Sequence, residues 1–99
     1  MKICGVYKIE NIKTGRCIIG SSKDIKKRWS YYKTMLEKGS FGNKELQNDF
    51  SLYGKEAFVF VVLDLCLQKD LYIREDYWMK LYSFDFVLSN RLYNQNKIV

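Results

Sequence analysis

Apolar and polar positions alternate along the first stretch of the chain. Ile3, Gly5, Tyr7 and Ile9 interleave with Cys4, Val6 and Lys8, the two-residue period of a strand. A second short β-branched run covers Arg16 to Gly20, and the polar segment Asn11 to Gly15 supplies a turn, so the pair predicts a hairpin. The period then changes. With Ser22 or Asp24 as N-cap and Gly39 as a left-handed stop, a helix runs to about Lys38. At about 100° per residue, Ile25, Trp29, Tyr32 and Leu36 share one narrow sector, the buried stripe. Arg28 lies at its edge, and Lys26, Lys27 and Lys33 point to solvent.

Lys44 to Tyr53 predicts a shorter helix, with Leu46, Phe50 and Tyr53 on one face and Gly54 as its stop. Lys55 to Leu65 contains the run Ala57 to Leu63, apolar at both strand faces, which predicts a central strand covered on both sides. Gln68 to Tyr82 predicts a third helix. Leu67, Leu71, Trp78 and Tyr82 form its main stripe, and Ile73, Tyr77 and Met79 fill much of the remainder, so broad burial is expected. Phe84 to Leu88 reads as a short closing element, and residues 94–99 as a frayed tail. The expected fold is one α+β domain over residues 1–93. It is a small three-stranded antiparallel sheet flanked by helices, in the order β-β-α-α-β-α.

Composition sharpens this picture in three places. The chain of 99 residues carries a net charge of +6, but residues 1–45 hold eleven Lys or Arg against four acids, and the remainder six against seven. The basic half is the hairpin and its helix. That placement points to a polyanionic partner, against the plainer reading of a solvated basic face. Cys4, Cys17 and Cys66 make an odd number without a zinc spacing, so they are expected as reduced core residues, with Cys4 and Cys17 near each other across the hairpin. Histidine is absent, which removes the commonest metal ligand and the usual general base. Hydrolysis by this chain must use Tyr, Lys, Asp or Glu. No signal peptide or membrane-spanning run is present, and the default expectation is a cytoplasmic protein.

One residue breaks the helical pattern. Glu75 falls on the apolar stripe of the last helix, four residues after Leu71 and three before Trp78. Burying a lone charge costs several kcal/mol, so the carboxylate needs a counter-charge or donors. Two readings stand: a salt bridge to Arg28 or Arg74, or a ligand for a divalent cation. A single carboxylate suits Mg²⁺, which keeps most of its waters.

Gly5-Val6-Tyr7 on the first strand, Ile18-Ile19-Gly20 on the second, and Asp24, Lys26, Lys27, Arg28 and Trp29 opening a helix together resemble the GIY-YIG nuclease domain. The resemblance continues through Leu36 to Gly39, Lys69 to Leu71, Glu75 to Trp78, and Asn90, and is nearest to the nuclease domains of phage-type homing endonucleases. It implies hydrolysis of phosphodiester bonds in double-stranded DNA with one Mg²⁺ or Mn²⁺ ion. Glu75 would hold the metal, Tyr7 would deprotonate or position the attacking water, and Arg28 would neutralise charge on the phosphorane. Tyr32 matches a tyrosine of the family's DNA-repair branch. Lys26, Lys27, Lys33 and Asn90 would contact the nucleic acid, while Gly5 and Gly20 mark places where the backbone needs room.

Ile18 departs from the family pattern, which has a tyrosine at this position; an aliphatic side chain cannot hydrogen-bond water or phosphate. Three readings follow. One is a nuclease that Ile18 leaves weak or context-dependent, with Tyr31 or Tyr32 as candidates to replace the missing hydroxyl; another is a degenerate domain that binds DNA without cutting; the third is a protein-binding module using its aromatic surface. Retention of Tyr7, Arg28, Glu75 and Asn90 favours the first. Homing enzymes of this kind carry a linker and a DNA-binding module after the nuclease domain, where this chain ends. Strong site selection would then require a partner protein, an additional domain or oligomerisation.

Overall fold

The computed structural model describes residues 2–84 and 91–94. Strands β1 (Gly5–Asn11) and β2 (Cys17–Ser22) form the hairpin. Its turn is tied at Asn11, whose carbonyl accepts the Gly15 N–H at 2.7 Å and whose side chain accepts the Lys13 N–H at 2.9 Å. Gly15 sits at φ +79°, a conformation that a side chain would strain. Helices α1 (Ile25–Lys38) and α2 (Lys44–Tyr53) follow, then β3 (Phe58–Leu65) and α3 (Leu71–Phe84). The order is the expected β-β-α-α-β-α, and all strand pairs are antiparallel.

The helix ends lie where the side-chain chemistry puts them. Asp24 accepts the Lys27 N–H at the start of α1, and Gly39, at φ +75°, returns its N–H to the Leu36 carbonyl at the end. Asn43 caps α2 by accepting from the Leu46 N–H at 3.1 Å. On one sheet face Tyr7 and Ile9 of β1 pack with Ile25 and Leu36 of α1, Leu46 of α2 and Phe58 of β3. On the other face Val6, Cys17 and Ile19 meet Met79 of α3 and Leu92. Each fully buried aliphatic or aromatic side chain contributes on the order of 1.5–3 kcal/mol.

Four expectations need correction. The strand order is β2-β1-β3, so the apolar β3 is an edge strand and β1 is central. Helices cover β3 only in part, leaving Val59, Val62 and Leu65 exposed. Nor is α3 broadly buried. Met79 is enclosed, but Ile73 and Tyr77 are exposed, because α3 lies on one sheet face and presents its far side outward. Cys17 is buried, whereas Cys4 and Cys66 are half-buried neighbours: the Cys66 N–H donates to the Cys4 carbonyl at 3.1 Å. The hairpin partner of Cys17 is Glu10.

The segment after α3 is anchored further along than its sequence suggests. Leu92 bridges Cys17 in parallel at the free edge of β2. Asn94, placed in the frayed tail by sequence, holds the backbone of Ile19 with its side-chain amide: Oδ1 accepts the Ile19 N–H and Nδ2 donates to the Ile19 carbonyl, each at 2.9 Å. Residues 95–99, and residues 85–88 of the expected closing element, lie outside the described residues. Among the described residues no helix is long and apolar enough to cross a membrane.

Candidate active site

Tyr7 is the buried centre of the site. Strand alternation turns its ring toward α1, where Trp29 meets it edge-on with ring centroids 6.0 Å apart. Its hydroxyl lies 2.9 Å from that of Tyr32, two turns into α1. Gly20, directly opposite in the β1–β2 register, makes this position possible: a Cβ there would stand 2.5 Å from the Tyr7 hydroxyl oxygen. Gly5 answers a different demand. Its Cβ would fall 1.9 Å from the Asp64 carbonyl oxygen, where a bulge shifts the β1–β3 register between Val6 and Tyr7.

Burial, then the Tyr32 hydroxyl, raise the Tyr7 phenol far above its usual range, although Arg28 pulls the other way. Tyr7 is therefore neutral near pH 7 and serves as a hydrogen-bonding group. Of the two expected roles, positioning the attacking water needs only the neutral phenol, while taking the water's proton requires Tyr7 to hand on its own.

Arg28 extends from the edge of α1 as an exposed side chain and interacts with both hydroxyls. Partial burial works against its cation, but hydrogen bonding to Tyr32 and the electrostatics of Tyr7 and Tyr32 outweigh it, and the pKa rises. The guanidinium keeps its charge at any pH at which the protein is folded.

Glu75 approaches from the opposite sheet face. Half-buried on α3, it accepts a hydrogen bond of 2.6 Å from Ser21 Oγ of β2. The salt-bridge reading of this residue fails: Arg74 pairs with Asp64 at 2.6 Å, and among the described residues no cation lies within 4.0 Å of the Glu75 carboxylate. Asp64 also accepts the Trp78 indole N–H at 2.9 Å, so two residues flanking Glu75 clamp α3 to the end of β3. Glu75 is close enough to affect the Tyr7 phenol electrostatically.

Between the first turns of α1 and α3 lies an open groove of about 520 Å³, lined among others by Ser21, Lys23, Lys27, Arg28, Tyr31 and Leu71. Neither Tyr7 nor Glu75 lines it, but each interacts with a residue that does, through Arg28 and Ser21 respectively. Three cations, Lys23, Lys27 and Arg28, outnumber the Asp24 carboxylate around this concavity, and with the Tyr31 phenol and the hydroxyls of Ser21 and Ser22 they suit a phosphodiester backbone.

Among the residues singled out from sequence, Tyr7, Arg28, Tyr32 and Glu75 converge on this corner of the fold. Lys27 joins them at the groove. Lys33 does not: about 140° around α1 from Arg28, its ammonium sits 4.9 Å from the ring centroid of Phe60. Lys26 is exposed on that same flank of α1. Asn90 lies outside the described residues. Ile18 is half-buried against the α1-side core, opposite Ile9 in the hairpin register, and acts there as packing. Sequence reasoning missed Ser21 and Lys23; the alternation of β2 and the placement of Lys23 just before the Asp24 cap were the available signals.

The family profile described as the GIY-YIG catalytic domain matches residues 3–90. The chain belongs to the GIY-YIG family. It is 35% identical over 77 residues to intron-associated endonuclease 1 of Enterobacteria phage T4, an alignment covering 77% of this chain and 31% of that protein. The chain thus spans about a third of that relative. Two solved structures are similar as well. The catalytic domain of intron endonuclease I-TevI, E75A mutant, matches with a TM-score of 0.79 at 26% identity, over 98% of this chain and 97% of that one. A second structure, the catalytic domain of homing endonuclease I-TevI, gives a TM-score of 0.71 at 30% identity over 79% and 86% of the two chains. This GIY-YIG nuclease domain therefore has phage homing endonucleases among its relatives.

Proposed function

We propose that this domain hydrolyses phosphodiester bonds in double-stranded DNA, with Tyr32 supplying the second hydroxyl that Ile18 cannot. The observation that carries the proposal is the 2.9 Å contact between the Tyr7 and Tyr32 hydroxyls, facing Arg28. The backbone of the duplex lies in the groove, held by Lys23, Lys27 and Arg28. Arg28 donates to the non-bridging oxygens and stabilises the charge that grows as the water oxygen attacks phosphorus and the sugar oxygen departs.

Tyr7 orients the attacking water by accepting a hydrogen bond from it. As the water loses its proton to Tyr7, Tyr7 passes its own to Tyr32 and Tyr32 passes one to solvent, so both phenols remain neutral throughout. That relay suits a Tyr7 phenol whose ionised form is strongly disfavoured.

Glu75 is the residue that would hold a divalent cation. Three features fit a Mg²⁺ or Mn²⁺ ion that keeps most of its waters: a half-buried carboxylate, a hydroxyl donor on one oxygen, and, among the described residues, no ammonium or guanidinium within 4.0 Å. When bound, such an ion supplies Lewis-acid polarisation of a phosphate oxygen. Among the described residues no group of three or more His, Cys, Asp or Glu side chains could form a closed metal cage.

The test is nicking of supercoiled plasmid by the parent chain, Arg28→Ala and Glu75→Ala in Mg²⁺ and Mn²⁺. The proposal expects nicking by the parent and its loss in both variants. Salt-sensitive DNA binding by the parent without nicking would replace this reading with a domain that binds and does not cut.

A further inference from the structure

We propose that Ser21 is the positioning residue of the Glu75 carboxylate, selecting by its hydrogen bond which carboxylate oxygen is presented to a divalent cation. The inference rests on the proposed function in taking Glu75 as the metal ligand. Its basis is the 2.6 Å bond from Ser21 Oγ to Glu75 Oε1, which joins the edge strand β2 to α3 across the otherwise apolar contact of Ile19 with Met79.

Three observations make that bond more than an incidental surface contact. Among the described residues Glu75 has no cation within 4.0 Å, so the serine hydroxyl is what fixes its direction. The last torsion of a glutamate is broad and roughly two-fold, so helix geometry alone would not choose between its oxygens. A short O–H to carboxylate bond is among the stronger neutral-to-charged contacts. It occupies Oε1 from the sheet side and leaves Oε2 for a ligand.

The neighbours of Ser21 give its position a second meaning. Gly20 faces Tyr7 and leaves room for its hydroxyl on the α1 side, while Ser21, in register with Val6, points to the α3 side. Ser22 then accepts the Asp24 N–H at 3.0 Å, and Asp24 caps the helix that carries Arg28. Four of the five residues from Gly20 to Asp24 therefore set the relative placement of the phenol, the carboxylate and the guanidinium. Replacing the serine hydroxyl leaves the Tyr7 and Arg28 supports in place and frees Glu75 alone.

The experiment compares the parent chain with Ser21→Ala, Ser21→Thr and Glu75→Ala. Its first readout needs no turnover: paramagnetic broadening of backbone amide signals around residue 75 during Mn²⁺ titration, with chemical shifts elsewhere reporting the fold. The second is the Mn²⁺ concentration that half-saturates plasmid nicking. Loss of an outer partner of a metal ligand typically costs about 10–100-fold in affinity. Ser21→Ala is expected to need at least about tenfold more Mn²⁺ in both readouts, while Ser21→Thr, which keeps the hydroxyl, stays near the parent. Glu75→Ala is expected to abolish the saturable broadening.

Equal Mn²⁺ midpoints for the parent and Ser21→Ala, with broadening still dependent on Glu75, would overturn the role of Ser21 and leave Glu75 as the ligand. A shift in Ser21→Ala that Ser21→Thr does not reverse would also overturn it. Broadening unaffected by Glu75→Ala would overturn the metal reading and this inference with it.

Discussion

Substituting Gly20 by alanine tests whether the Tyr7 hydroxyl must sit where the structure puts it. The added Cβ would stand 2.5 Å from the Tyr7 hydroxyl oxygen, 2.8 Å from Cζ and 3.2 Å from Cε1. Ordinary van der Waals contact begins at about 3.5 Å, so the phenol must retreat by about 1 Å. It has little space in which to do so, because Tyr7 is 1% exposed and packed edge-on against Trp29. A retreat of that size either stretches the 2.9 Å bond beyond hydrogen-bonding range or displaces Tyr32 as well.

Overpacking of this kind costs about 1–3 kcal/mol of stability. A catalytic group misplaced by about 1 Å costs about 100-fold in rate. Gly20→Ala is thus expected to fold with a lowered Tm and to cut about 100-fold more slowly under single-turnover conditions. The stability loss should shrink in a Tyr7→Phe background, where the atom nearest the new methyl is gone. Cleavage and melting of Gly20→Ala indistinguishable from the parent would refute the reasoning, as would the same stability cost in both backgrounds.

Two further outcomes follow from the same geometry. Gly5→Ala places a methyl 1.9 Å from a backbone oxygen of β3 rather than beside a movable ring, so β1 and β3 must separate. A loss of more than about 3 kcal/mol is expected, lowering the Tm by roughly 15 °C in a thermal melt followed by circular dichroism. The second concerns alkaline pH. Burial and then Asp49 raise the Tyr93 phenol to about 12, and Tyr7 is raised further still. Above about pH 10 the unfolded chain releases both protons while the folded chain keeps them. Stability supplied by these groups is therefore complete below pH 10 and falls as pH rises, by about 1.4 kcal/mol per pH unit for each. Urea unfolding between pH 9 and 12 should show that decline, and Tyr93→Phe should remove about one proton from its slope; an unchanged slope would contradict the assignment.

Much of this fold was legible because local chemistry and burial agree. The hairpin turn at Asn11 to Gly15, the Asp24 cap and the Gly39 stop are properties of single residues, and the structure uses them as expected. Strand alternation and helical spacing placed Tyr7, Arg28 and Tyr32 on their elements, but it was the resemblance to the GIY-YIG motifs that singled them out; Glu75 stood out by itself as a charge on an apolar stripe. The order of strands was not recoverable in this way. Apolar residues on both faces of β3 show that both faces are partly covered, but hydrogen-bond pairing decides which strand is central, and β1 pairs with both others. Similarly, the apolar far side of α3 gave no sign in the sequence that it would remain exposed. Lys33 was grouped with Lys27 by charge; the rotation between them along α1 separates a groove residue from one seated over Phe60. Ser21 escaped notice because a strand serine is unremarkable until its partner is known.

The exchange of one hydroxyl for another is best tested by single-turnover cleavage of a DNA duplex by the parent, Tyr32→Phe, and Tyr32→Phe combined with Ile18→Tyr. Ile18 lies on the same sheet face as Tyr7, two residues before Gly20, so a phenol at position 18 approaches the site from β2 instead of α1. Proton-transfer groups contribute roughly 10²–10⁴-fold to rates. The account predicts a loss of at least about 100-fold in Tyr32→Phe and recovery of most of it in the double variant. Cleavage by Tyr32→Phe within about threefold of the parent would contradict the claim that Tyr32 replaces the missing tyrosine.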